Sequence, residues 1–122
     1  MGRFVIKETV NNKFMFNLIA DNNEVIATSQ TYKSVENAKI GIDSVKANAD
    51  ASVEDKTAEA AELPCPKFEI FNDVEGKFRF HLKASNGEIV AASQGYTTKE
   101  SCKVGIASVK NNAPKADVVK EC

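Results

Sequence analysis

GIDSVKAN at residues 41–48 returns as GIASVKNN at residues 105–112, and this pair of segments decides how the chain is read. The two are 64 residues apart, and the same offset holds without a gap on the N-terminal side of the motif. Phe14, Phe16 and Leu18 recur as Phe78, Phe80 and Leu82, Asn22 and Glu24 as Asn86 and Glu88, and Ser29-Gln30 and Tyr32 as Ser93-Gln94 and Tyr96. Roughly half of the positions from Phe4 to Ala49 match their partners, which marks an internal repeat rather than a biased composition.

Each copy follows one plan. FVIKETV (residues 4–10) and KFMFNLIA (13–20) alternate apolar and polar side chains, as half-buried strands do, and Asn11-Asn12 between them is a turn signal. Asp21-Asn22-Asn23 makes the next turn, matched by Ser85-Asn86-Gly87, where Asn or Gly accepts a positive φ. EVIATSQ (24–30) is a third strand, and such short connections predict an antiparallel meander.

Past Tyr32, Ser34 and Thr98 are candidate N-caps, with Glu36 and Glu100 in the first turn at the positive end of the helix dipole. The helices are expected to end near Asn48 and Asn112. Val35, Ala38, Ile42 and Val45 recur at spacings of three and four, as do Cys102, Ile106 and Val109. Gly41 and Gly105 fall on the same stripe. A glycine inside a helix costs about 1 kcal/mol relative to alanine. Two at matched places imply close packing, expected here to be the helix backbone against the sheet. Ser44 and Ser108 are read as bonding back to the carbonyl four residues earlier. Lys46 and Lys110 suit the negative end of the helix.

A short extended segment follows each helix, ASVED at 51–55 and ADVVK at 116–120. A three-stranded sheet with one helix is only marginally stable, so the halves are expected to share one sheet. The chain divides into a first repeat at residues 1–55, a linker at 56–67 and a second repeat at 68–122, all in one compact domain. The linker KTAEAAELPCPK could span about 40 Å if extended, and Pro64 and Pro66 keep its end from being helical.

With KFMFNLIADNNEVIATSQTY and IGIDSVKAN in one half, and KFRFHLKASNGEIVAASQGY and VGIASVKNNAP in the other, the chain resembles the YegP-like family, also called the domain of unknown function 1508. The resemblance covers nearly everything but the linker and tail. It implies an α+β fold: a tandem duplication of a β-β-β-α-β unit, with two antiparallel meanders merged into one sheet, two helices on one face and exchanged last strands. It brings no activity, cofactor or catalytic residue.

Bulk properties exclude several classes. Of 122 residues, 43% are hydrophobic and 27% charged, the balance of a globular protein rather than a disordered one. A net charge of −1 supplies no general attraction to nucleic acid. The start, MGRFVIKE, runs straight into strand-like sequence, and no apolar run is long enough to span a bilayer, so the chain reads as cytoplasmic and free of membrane contact. Cys65, Cys102 and Cys122 are widely spaced, which fits reduced thiols and not a zinc site, with Cys122 at a frayed end. His81 is the only histidine and its counterpart is Asn17, so no triad is repeated. No catalytic residue, metal site or cofactor is expected, and the chain is read as not an enzyme.

The face turned away from the helices is the candidate binding surface. Alternation places Met15, Asn17 and Ile19 there, with Arg79, His81 and Lys83 in the other half and Val5, Lys7, Glu69 and Phe71 from the first strands. The expected function is non-catalytic binding of a protein or small molecule on this face. The alternative is weak nucleic-acid binding through Arg79, His81 and Lys83, with Phe71 as a stacking surface. The chain is expected to be a monomer or a homodimer.

Overall fold

The alternating segments form strands and the three-four stripes form helices. The computed structural model describes residues 2–58 and 62–121; the middle of the linker and the expected loose end at Cys122 lie outside the described residues. In the first half the elements are β1 (Arg3–Glu8), β2 (Phe14–Ile19), β3 (Val25–Thr28), α1 (Val35–Asn48) and β4 (Ser52–Asp55). In the second they are β5 (Lys67–Asn72), β6 (Phe78–Lys83), β7 (Ile89–Ala92), α2 (Lys99–Asn112), a short 3-10 turn (Ala113–Lys115) and β8 (Asp117–Lys120). The fold is α+β, one mixed sheet of eight strands with two helices.

The strand order is β4-β5-β6-β7-β3-β2-β1-β8. Each meander is antiparallel, and the two meet at Thr28 and Ala92, where β3 pairs with β7. The strand after each helix runs parallel to the first strand of the other half, β4 beside β5 and β8 beside β1. Ser52 sits opposite Lys67 and Asp117 opposite Arg3, so the offset becomes 65 here. The 3-10 turn around Pro114, where the first half has Asp50, takes up the extra residue.

Local chemistry explains the connections. Asn12 and Asn23 take positive φ at 59° and 68°, and their counterparts Gly76 and Gly87 do so at 80° and 83°. The Ser34 and Thr98 hydroxyls accept the N–H groups of Asn37 and Ser101, capping the helices as expected. Ser29 Oγ accepts the Phe16 N–H at 2.9 Å and donates to the Gln30 carbonyl, and Ser93 does the same for Phe80 and Gln94, so the repeated Ser-Gln pair closes the end of the meander. Tyr32 then exchanges two backbone hydrogen bonds with Phe14, and Tyr96 with Phe78.

Both helices cover one face of the sheet and feed a single core. Phe4, Ile6, Phe16 and Leu18, with Phe68, Ile70, Phe80 and Leu82, lie beneath Ala38, Ile42 and Val45 of α1 and Cys102, Ile106 and Val109 of α2. Each helix straddles the seam: α1 touches β2 and also β7, and α2 touches β6 and also β3.

The repeated GIxSVKxN is explained member by member, with one expectation sharpened and one corrected. A β-carbon on Gly41 would stand 2.7 Å from Tyr32 Cζ, and one on Gly105 would stand 3.0 Å from Tyr96 Cζ. The glycines therefore admit a tyrosine ring, and the sheet's own Phe16 and Phe80 stand 3.1 Å from the same positions, so the close approach to the sheet is made against side chains. Ser44 and Ser108 do not bond back to the previous turn. Each receives the amide of the asparagine four residues on, Asn48 Nδ2 reaching the Ser44 carbonyl at 2.8 Å and its Oγ at 3.3 Å, and Asn112 repeating this with Ser108. Lys46 lies 5.9 Å from the centre of the Phe4 ring and Lys110 5.6 Å from that of Phe68, a cation–π contact added to the dipole term.

Candidate functional site

The open face is organised in cross-strand rows. One row runs Val5–Asn17–Thr28–Ala92–His81–Glu69–Glu54 through the paired positions of seven strands. Lys7 stands opposite Met15, Phe71 opposite Arg79 and Lys67 opposite Lys83. The sequence therefore gathers the ten expected residues on one side of the sheet, but not to equal exposure. Val5, Ile19 and Glu69 are buried, Lys7 is exposed, and Met15, Asn17, Phe71, Arg79, His81 and Lys83 are half-buried.

The two halves of the face differ in chemistry at equivalent positions. In the second, Glu54, Lys67 and Glu69 are buried together. Lys67 Nζ donates to Glu54 Oε1 at 2.8 Å and to the Leu63 carbonyl at 2.8 Å, while the Leu63 N–H donates to Glu54 Oε1 at 2.7 Å, tying the linker to β4. Glu69 meets Lys56 and Lys67 through Oε2 at 3.2 Å each and Lys83 through Oε1 at 3.1 Å. Burial would raise the Glu69 carboxyl, but these three ammonium groups outweigh it and hold it down at about 2. In the first half the places of Glu54, Glu69 and Lys83 are taken by Val119, Val5 and Ile19. Nearby, Asn17 Oδ1 is buried with no hydrogen-bond donor among the described residues.

The basic trio of the alternative reading is already engaged. Arg79 Nε donates to Asp73 Oδ2 at 2.7 Å and Nη1 to the Ser93 carbonyl at 3.2 Å, and Lys83 is paired with Glu69. His81 packs against Phe71 with ring centres 4.5 Å apart, and burial lowers its pKa despite the pull of Glu69.

Two clefts on the helix side were missed by sequence reasoning. Each lies where a helix crosses the second turn and third strand of the other half. The larger, about 390 Å³, is bounded by Asn22, Glu24, Tyr96 and Ser108, and the smaller, about 250 Å³, by Asn86, Glu88, Tyr32 and Ser44. Their signal was present in the sequence, because these four pairs are all identities at the offset of 64.

The model of a domain of unknown function, DUF1508, matches this chain twice, over residues 10–55 and 73–119. The chain belongs to the DUF1508 family. A UPF0339 protein of Pseudomonas aeruginosa is 36% identical over 120 residues, covering 98% of this chain and 97% of its own. A UPF0339 protein of Methanosarcina acetivorans is 55% identical over 53 residues, which make up 43% of this chain but 91% of that one. The solution NMR structure of the protein of unknown function YegP from Escherichia coli aligns with a TM-score of 0.80 at 37% identity, covering 98% of this chain and 92% of that one. These DUF1508 relatives are uncharacterised, and they assign no activity to any residue.

Two reactive groups of this DUF1508 chain are shifted far from their ordinary pKa values. The Cys102 thiol is buried and pushed up to about 11, by burial first and then by the charge of Asp55, so it stays protonated. Asp55 itself is held at about 2: burial opposes this, but hydrogen bonds from Thr57 and Lys99 prevail. No helix among the described residues is long and apolar enough to cross a membrane.

Proposed function

We propose that the chain is a non-catalytic binding module that takes a protein partner on its open sheet face, acting in the cytoplasm as a monomer or homodimer. The observation that carries this is the contrast between the halves: Val5, Ile19 and Val119 make the first half of the face apolar where the other half holds ion pairs, with Val119 exposed at its edge and Val5 and Ile19 buried beside it. An open sheet face suits a protein surface better than a small molecule. Met15, half-buried, borders the apolar residues. Nucleic acid is disfavoured, since Arg79 and Lys83 would have to leave Asp73 and Glu69 to reach phosphates.

The parallel pairs β4·β5 and β8·β1, with a relative about one repeat long, support reading the chain as a tandem duplication whose units exchange their last strands. The linker at residues 56–67 joins the two units of this one domain.

The test is retention of a partner from lysate by the immobilised chain, followed by variants. Met15→Lys and Val119→Lys should each release it, whereas Lys103→Glu on the helix side should not. Equal retention by all three would contradict the assignment of the face.

A further inference from the structure

The paired clefts on the helix side carry an inference independent of the open face. Tyr, Gly, Ser and Asn at their walls have structural duties: the ring fills the glycine notch, the serine receives an asparagine amide, and Asn22 and Asn86 each accept the N–H two residues on. Glu24 and Glu88 have none of these. Both are exposed, and neither forms an ion pair or a side-chain hydrogen bond among the described residues. Yet the same acid stands at the same place in both halves, each lining one cleft with the tyrosine of the other half.

A second feature also lacks a structural reason. Ile40 and Val104, equivalent positions on the outer side of the helices, are 65% and 69% exposed. Branched side chains weaken a helix slightly and gain little when left in water. Both stand at the mouths of the clefts, facing Val90 and Ile26. Each cleft thus has an apolar side and an acidic side, and among the described residues no Lys, Arg or His lines either one.

We propose that the clefts are twin sites for a small organic molecule with a primary ammonium group on a short apolar body. The ammonium lies between Glu24 and the Tyr96 hydroxyl in one cleft and between Glu88 and the Tyr32 hydroxyl in the other, and the apolar body rests between helix and strand. The larger cleft also presents Glu100 and takes the ligand more tightly.

The experiment is a titration of the intact, ¹⁵N-labelled chain with n-pentylamine, using n-pentanol and ammonium chloride as probes of each part alone. Pentylamine should shift the amides of residues 24, 105 and 108 first and those of 88, 41 and 44 at higher concentration, with each partial probe at least tenfold weaker. Glu24→Gln should weaken the first set at least fivefold and leave the second unchanged, the untouched cleft reporting that the fold is intact. Shifts that are absent from the clefts, equal for all three probes, spread over exposed acids such as Glu8 and Glu75, or unmoved by the substitution would overturn the proposal.

Discussion

The phenol of Tyr32 fills the space that a β-carbon on residue 41 would need, with Cζ 2.7 Å from that position and Phe16 Cε2 at 3.1 Å. An alanine there gains about 1 kcal/mol of helix propensity. The overpacking it forces costs roughly 1–3 kcal/mol. Gly41→Ala should therefore lower stability in urea unfolding, and the same change in a Tyr32→Ser background should raise it. An equal effect in both backgrounds would show that the ring is not what requires glycine.

The ionic half of the open face should tolerate conversion to its apolar twin better than partial damage. Removing Lys67 alone leaves Glu54 with only the Leu63 N–H and strips Glu69 of one of its three cations. Lys67→Met should lower the melting midpoint. Glu54→Val, Glu69→Val and Lys83→Ile with Lys67→Arg, which copies the first half, should leave it unchanged or raise it. The combined variant should also be less acid-sensitive. Glu69 falls from about 4.5 to about 2 on folding, so its contribution is present above 4.5 and is lost as pH drops toward 2.

His81 should make the fold weaken in mild acid. Burial lowers its pKa from 6.5, so below 6.5 the unfolded chain binds more protons than the folded one, and stability falls as pH drops through that window. His81→Asn, the residue of the other half, removes the effect. Thermal midpoints at pH 7.5 and 5.5 should differ less for the variant than for the parent; equal differences would refute the assignment.

The two described thiols should separate under alkylation. Cys65 is half-buried in the linker, whereas Cys102 is buried and protonated well above neutral pH. Iodoacetamide at pH 8 should modify Cys65 while leaving Cys102 intact until denaturant is added, read by peptide mass mapping. Prompt modification of Cys102 in the native protein would show that the core beneath α2 opens readily.

Local features were legible in the sequence because neighbouring residues determine them. The caps at Ser34 and Thr98, the turns at Asn12 and Asn23 and the stripe of Ala38, Ile42 and Val45 all follow from spacing and side-chain chemistry. What depends on distant partners was not. The spacing of Gly41 signals a close approach but cannot say that Tyr32 is what approaches. The burial of Val5 and Glu69 depends on the parallel neighbours β8 and β4, which arrive from the other half. The clefts are harder still, because each joins a helix of one repeat to a turn of the other, and the identities that line them are spread over turn, strand end and helix with nothing in their spacing to bring them together.

The central claim, binding on the open sheet face, is tested most directly by a chemical-shift map of the labelled protein against fractionated lysate. Shifts concentrated on the rows through Val5, Met15, Asn17 and Ile19, fading toward Glu69 and Lys83, are the predicted result. Shifts confined to Arg79, His81 and Lys83 that vanish with added salt, or a map that leaves this face untouched, would contradict it.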